Sequence, residues 1–470
     1  MTWNLWDDFS CKTQYALVYC PDAIQRRSVG NVKILKRGHG VTSGLLPSEF
    51  TDLGEDFCSL GQNIRYYSVL KHLLGPDYRN FLYGMRDAAY FSKICDDFCD
   101  DPTFTTSLIR YDEAAEALKF AQYELAGVNR NASTEFVFKA NIPADTDTPL
   151  SIRFNFGKLN LEGNINRIVA LIGDNGSGKS TTLSQLAESI VKNDQSRFEP
   201  NVPLFSKVIS SSYSIFDRFF KIDGSSYNYV YCGIQKKDGG LMSEAEITAR
   251  REKSVKLINR TNVGGVAQID RKHLLHRYLK RLFSEEVIDQ LFDEFEIFQE
   301  EAYQRLSKTF SSGQSMLMNL TIEILAHIRN NTLLLIDEPE VHLHPKGISE
   351  ILRIVDSLCE RFNSCCVMAT HSALVVQELL SKNVIILGRE VDGSPVVRSM
   401  NVESMGENLT TITEDIFGRS SIRPLYIEKI REVASRSETL EAAIREVQNN
   451  EVPISMPLYL MLAKHFEKDA

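Results

Sequence analysis

Tryptophan occurs only at Trp3 and Trp6, and no stretch approaches the roughly 18 consecutive apolar residues a membrane-spanning helix requires. The opening MTWNLWDDFS carries neither the basic start nor the apolar run of a secretory signal. A soluble, cytoplasmic protein without a membrane partner is the expectation. There is no Cys-x-x-Cys pair among the nine cysteines, so neither a structural zinc site nor a disulfide framework is indicated. Internal repeats and low-complexity tracts are also missing, and with 43% hydrophobic and 24% charged residues the 470-residue chain has ample material for a core.

A net charge of −9 excludes a protein coated for nonspecific nucleic-acid binding. The distribution is uneven. Between Arg250 and Arg281 ten Lys and Arg face only Glu252 and Asp270, a local excess of eight positive charges. Such a segment is either an electrostatic footprint for DNA or an acidic partner, or a solvated helical face.

The pattern along the chain is α/β. YALVYC and NVKILKRG read as early strands, Leu60–Leu125 is helical in periodicity, and RIVALIG, NTLLLID, CCVMAT and NVIILG are short apolar runs of the kind a strand covered on both faces needs. Strands alternating with helices in the second half predict a mostly parallel sheet. The expected division is residues 1–45 as amino-terminal strands of the core, 46–130 as a helical insertion and 131–242 as a first lobe. Residues 243–308 follow as a basic helical subdomain, 309–401 as the rest of the core, and 402–470 as a helical tail.

Chemistry concentrates in four short windows. The first, GDNGSGKS at Gly173–Ser180, follows RIVALI directly and opens a helix. That spacing lets backbone N–H groups curl around phosphate oxygens at a helix amino terminus, a P-loop. Gly173, Asn175, Gly176, Ser177, Gly178, Lys179, Ser180 and Thr181 are the expected ATP contacts, with Lys179 supplying a point charge to the outer phosphates and Ser180 a Mg²⁺ ligand. The second, NTLLLIDEPEVHLHP, ends an apolar strand in two acids: Asp337 to hold the Mg²⁺ shell, Glu338 to orient or deprotonate the attacking water. His342 and His344 form a His-x-His pair with no evident third ligand. The third, ATHS, places His371 at a strand tip where it can report a γ-phosphate. The fourth is FSSGQ at Phe310–Gln314, with small residues and no acid, base or metal ligand of its own.

P-loop, FSSGQ, LLLIDEP and ATHS follow one another in the order of the ATP-binding-cassette ATPases, which the chain resembles from about Thr134 to Asn401. FSSGQ is similar to their LSGGQ signature loop, with Phe310 for Leu and Ser312 for Gly. The resemblance implies an ABC-type P-loop ATPase head with a mostly parallel sheet core, flanking antiparallel strands and helical insertions. It further implies head-to-tail pairing, at least a homodimer, in which Ser311, Gly313 and Gln314 of one copy cap the ATP of another. DEPEVHLHP resembles the RecF, SMC and OLD-like branch, and Gln235 is the candidate for the Gln that these ATPases place near Mg²⁺. SLGQNIRYYSVL and GENLTTITEDIFG are similar to the ATPase component of the bacterial Septu anti-phage system, which implies a higher oligomer and an HNH-type nuclease partner. Two further readings stay open: a recombination or repair ATPase that contacts DNA through Arg250–Arg281, and a nucleotide-locked scaffold that rarely turns over.

Overall fold

The structure, a computed structural model, describes residues 1–3, 11–22, 24–98, 101–126, 134–143, 149–157, 165–214, 219, 229–236, 238–259, 270–341, 343–390, 393–418, 425–448 and 452–466. Two compact units divide the chain, Met1–Leu409 and Thr410–Ala470.

The chain begins with four strands, β1 (Thr2–Trp3), β2 (Gln14–Tyr19), β3 (Arg27–Lys36) and β4 (Phe57–Gly61), which form an antiparallel sheet in that order. Helices α1 (Ile64–Leu74), α2 (Tyr78–Gly84), α3 (Ser92–Phe98) and α4 (Asp112–Ala126) follow. Asn63 starts α1 by accepting the Tyr66 N–H at 3.0 Å, and Tyr66, Tyr67 and Leu70 bury the face that this start aims at the sheet. Residues 1–45 therefore do not join the core sheet as the sequence expectation has it. Their hairpin-like strands pair with one another and with β4, and Val32, Ile34 and Leu35 pack on Leu60, Leu82, Phe98 and Phe104 in a core of their own. At its boundary with the rest of the unit Lys207 Nζ donates to Asp96 Oδ2 at 2.6 Å, and Arg329 pairs with the other oxygen of that carboxylate.

Next come β5 (Glu135–Ala140), β6 (Leu150–Asn155), β7 (Ile168–Ile172), α5 (Lys179–Lys192), β8 (Phe198–Glu199), β9 (Lys207–Ser212) and β10 (Tyr229–Tyr231). After them stand α6 (Glu244–Asn259), α7 (Arg271–Leu282), α8 (Glu285–Leu291), α9 (Glu300–Leu306), α10 (Ser312–His327), β11 (Thr332–Asp337) and α11 (Pro345–Arg361). The first unit closes with β12 (Cys365–Thr370), α12 (Ala373–Gln377), β13 (Val384–Arg389) and β14 (Pro395–Ser399). The central sheet has seven strands in the order β10-β9-β11-β12-β7-β13-β14. Every pairing is parallel except that of β13 with β14. As the apolar runs predict, β7, β11 and β12 are buried along their whole length. A smaller antiparallel sheet, β6-β5-β8, lays Phe136, Phe138, Phe154 and Phe198 against α5 and the central strands. The fold is thus α/β with a mostly parallel core and a flanking antiparallel sheet.

Parallel strands share one direction, so the carboxyl ends of β7, β11 and β12 open on the same edge, where ligands of such sheets bind. Asp337 lies opposite Ala369 on β12 and Ser212 on β9, and Thr370 lies opposite Ile172 on β7. Three of the four windows thereby meet at one edge. In the second unit, α14 (Leu425–Arg436), α15 (Leu440–Val447) and α16 (Met456–Phe466) bury Ala434, Ala443 and Leu462, and α13 (Leu409–Phe417) precedes them.

Candidate active site

Gly173 follows β7, and a Cβ there would meet the Leu387 carbonyl oxygen at 1.9 Å, so only glycine lets the chain turn this close to β13. Gly178, at φ +98°, is also closely approached, by Ile142, whose Cγ2 would lie 2.5 Å from a Cβ. Between them the loop exposes Asp174, Asn175 and Gly176 and buries Ser177, whose hydroxyl has no partner among the described residues. A buried hydroxyl without a partner costs free energy unless something else accepts its proton or donates to it. Lys179 opens α5 and folds back, its ammonium donating to the carbonyls of Gly173 and Asp174 at 3.0 Å each. Burial pulls its pKa down to about 8 against the opposing pull of Glu338, Asp337 and Glu340. Thr181 follows on α5, half-buried. A loop with turned-in glycines, an unsatisfied hydroxyl and a desolvated ammonium fits a polyanion such as a triphosphate.

Ser180 donates from its hydroxyl to Asp337 Oδ1 at 3.1 Å, which brings the P-loop and the end of β11 together. These two oxygen donors are of the hard type that Mg²⁺ takes. Glu338 adopts φ +48°, unusual for a side-chain-bearing residue, with its N–H donating to the Ala369 carbonyl at 2.9 Å. That turn directs its carboxylate toward β12, where His371 Nε2 lies 3.3 Å from Glu338 Oε1. The hydrogen bond from His371 is the largest cause of a Glu338 pKa below the usual carboxylate range, with the charge of Lys179 adding to it and burial opposing it.

Glu340, which sequence reasoning passed over, reaches the same turn: its Oε1 accepts the Thr370 hydroxyl at 2.8 Å and the His371 N–H at 2.6 Å. Arg389 at the end of β13 was passed over too, and it donates to the Gly176 carbonyl at 3.2 Å. Neither falls in a recognisable spacing; both act across strands far apart in sequence.

The FSSGQ window forms the amino terminus of α10. Ser311 Oγ accepts the Gln314 N–H at 3.2 Å, and Gln314 Oε1 accepts the Ser311 N–H at 2.9 Å, a reciprocal capping box. Phe310 packs on Phe283 at 4.9 Å and Tyr303 at 6.0 Å between ring centres. The aromatic ring in place of Leu anchors the loop, Gly313 is buried, and Ser311 and Ser312 are left exposed at the positive end of the helix dipole. These two residues are exposed at the start of α10, where the capping box takes up the Ser311 and Gln314 N–H groups.

Gln235 lies beyond β10, with β9 between that strand and β11, and its N–H donates to the Tyr231 hydroxyl at 3.3 Å. Ser212 on β9, not Gln235, is the lateral neighbour of Asp337. The basic segment also differs from a simple footprint, because much of its charge turns inward. Arg250 Nε pairs with buried Glu323 at 2.7 Å and Arg251 with Glu300 at 2.6 Å. Arg271 donates to the Ala326 and Ile328 carbonyls at 2.9 and 2.7 Å, holding the carboxyl end of α10. Lys253, Lys256, Lys280 and Arg281 are exposed, and Arg260 lies outside the described residues. So does His342; His344 caps α11 by accepting the Lys346 N–H at 3.4 Å. No group of three metal-ligating side chains occurs among the described residues, and no described helix is long and apolar enough to cross a membrane.

The windows from FSSGQ to ATHS lie within the stretch that matches a known family. Residues 240–377 match an AAA-family domain. The matching family is described as AAA domain, putative AbiEii toxin, Type IV TA system. Protein ea59 of Escherichia phage lambda is 26% identical over 457 residues, covering 88% of this chain and 84% of its own. Septu protein PtuA of Bacillus thuringiensis is 29% identical over 143 residues, which span 28% of this chain and 36% of PtuA. Among solved structures, cbiO1 from Clostridium perfringens, part of the ABC transporter complex cbiONQ, has a TM-score of 0.32 at 17% identity, covering 67% of this chain and 100% of its own. The SMC head domain from Thermotoga maritima has a TM-score of 0.28 at 12% identity, covering 58% of this chain and 100% of its own. The chain is similar to the AAA domain family over residues 240–377, and its similarity to PtuA is confined to part of both proteins.

Proposed function

We propose that this chain hydrolyses ATP with Mg²⁺ as paired head-to-tail copies in the cytoplasm, and that its nucleotide state controls a separate HNH-type nuclease in an anti-phage defence complex. The observation that carries the reading is the convergence of Ser180, Asp337, Glu338 and His371 at adjoining strand ends. In this reading the P-loop N–H groups and Lys179 bind the triphosphate, Lys179 exchanging its bonds to the Gly173 and Asp174 carbonyls for bonds to outer phosphate oxygens. Ser180 and Asp337 hold Mg²⁺, which neutralises charge on those oxygens when bound. Glu338, kept ionised by His371, orients the attacking water and accepts its proton. Ser311, Gly313 and Gln314 come from the other copy: with Ser311 and Gln314 already capping each other, the exposed serines and the helix dipole are available to an anion brought by a second chain.

The partial similarity to PtuA supports the defence setting. The inward turn of Arg250, Arg251 and Arg271 takes three of the ten positive charges of that segment away from any phosphate backbone. Co-expression with an HNH nuclease encoded beside this chain is the test. Stable co-purification, with nuclease activity that changes when ATP is supplied, is expected. A chain that purifies alone and instead binds duplex DNA with steep salt dependence contradicts the defence setting.

A further inference from the structure

We infer that Glu340 is a positioning residue for His371, the second arm of a two-carboxylate clamp on the turn after β12. Glu338 and Glu340 flank the buried Pro339, whose ring fixes the backbone between them. One arm, Glu338, meets the imidazole at 3.3 Å. The other, Glu340, takes the main chain of the same residue, accepting the His371 N–H at 2.6 Å and the Thr370 hydroxyl at 2.8 Å on a single oxygen. Thr370 Oγ in turn accepts the Ser372 N–H at 2.9 Å, so the carboxylate secures the residues on both sides of His371. With backbone and ring held by acids two residues apart on one rigid segment, the imidazole has little freedom to leave Glu338.

The remaining Glu340 oxygen, Oε2, is buried without a hydrogen-bond partner among the described residues. A buried carboxylate oxygen without a donor is unfavourable, and Glu300, Glu323 and Glu350 carry the same cost at their own Oε2, so what sets Glu340 apart is the reach of its Oε1 to two donors on the His371 turn. The role is carried by the reach of one acceptor oxygen and not by the charge.

This inference rests on the reading of Glu338 and His371 as hydrolytic residues, and its test separates reach from charge. Glu340→Asp keeps the charge and withdraws the oxygen by one methylene; Glu340→Gln keeps the reach and removes the charge. Misplacing a working group by about 1 Å costs on the order of 10²-fold in rate, so the aspartate variant is expected to lose about 10- to 100-fold in kcat with its KM for ATP within about threefold of wild type. The glutamine variant restores most of that turnover. Thr370→Val, which removes one donor and leaves the carboxylate, gives a smaller loss of about 3- to 10-fold in kcat at unchanged KM, roughly the value of one hydrogen bond; it decides the matter should the aspartate variant not fold. Glutamine as inactive as aspartate, an aspartate variant with wild-type kcat, or an unaffected Thr370→Val each overturns the positioning role. A wild-type chain that fails to hydrolyse ATP refutes the reading of the site instead, so the two failures are distinguishable.

Discussion

Lys179→Ala is expected to abolish ATP binding at concentrations that saturate the wild type. The ammonium of Lys179 is largely buried and its pKa is drawn down to about 8, so it is held in a place where a full positive charge is unfavourable until an anion arrives. Hydrogen bonds to charged groups contribute about 1.5–3 kcal/mol each, and losing two such bonds to phosphate oxygens corresponds to a fall in affinity of at least about 100-fold. The substitution also frees two backbone carbonyls, of Gly173 and Asp174, that the exposed loop can offer to water. Removal of a desolvated charge offsets that loss, so the melting temperature without nucleotide stays within a few degrees of wild type while the stabilisation by ATP disappears. Titration with a fluorescent ATP analogue and Mg²⁺ measures this. Affinity within threefold of the wild type would show that the phosphates sit elsewhere.

Glu338→Gln is expected to separate binding from turnover. Glutamine keeps the size of the side chain and can still meet His371 Nε2, but it cannot accept a proton from water, and loss of a general base costs about 10²- to 10⁴-fold in rate. ATP affinity should change little, because Glu338 is an orienting group and the phosphates are held by the P-loop. Nucleotide therefore accumulates unhydrolysed and paired copies persist, which light scattering after size exclusion measures together with phosphate release. The pH dependence follows from the same assignment. The Glu338 pKa lies below the ordinary carboxylate value, chiefly through the hydrogen bond from His371, so the carboxylate is ionised throughout the neutral range and turnover falls only as pH drops through that lowered value. The residual rate of the glutamine variant lacks this acid limb. Unchanged hydrolysis in Glu338→Gln would assign the base to another residue.

The parallel core was legible because its strands are covered on both faces, and TLLLID, CCVMAT and IVALI announce themselves as unbroken apolar runs. Their parallel course then brings Ser180, Asp337, Glu338 and His371 to one edge without further information from the sequence. YALVYC and NVKILKRG are readable as strands, but nothing in them says which sheet they join; here they pair with each other and with β4, and α1 and α4 share their core. Gln235 follows a strand of the right character, but nothing in the spacing says that β9 lies between that strand and β11. The charge of Arg250–Arg281 was countable, but its direction was not: whether an arginine meets a carboxylate such as Glu323, 73 residues onward, depends on how α6 packs against α10. Glu340 is the clearest case. Its partners Thr370 and His371 lie 30 and 31 residues away on the next strand, and only the register of β11 against β12 reveals them.

A mixing experiment tests the shared site most directly. Lys179→Ala and Ser311→Arg each disable every site of a homodimer, the first from the P-loop side and the second from the α10 side. A mixed pair assembled head to tail contains one site with both halves intact, the Lys179 of one copy facing the Ser311 of the other. Equal mixing and free exchange make half the pairs mixed, so ATP hydrolysis should return to about one quarter of the wild-type rate although each variant alone is inactive. If the mixture stays as inactive as its components, while both variants are folded and the wild type turns over, no site is shared between copies.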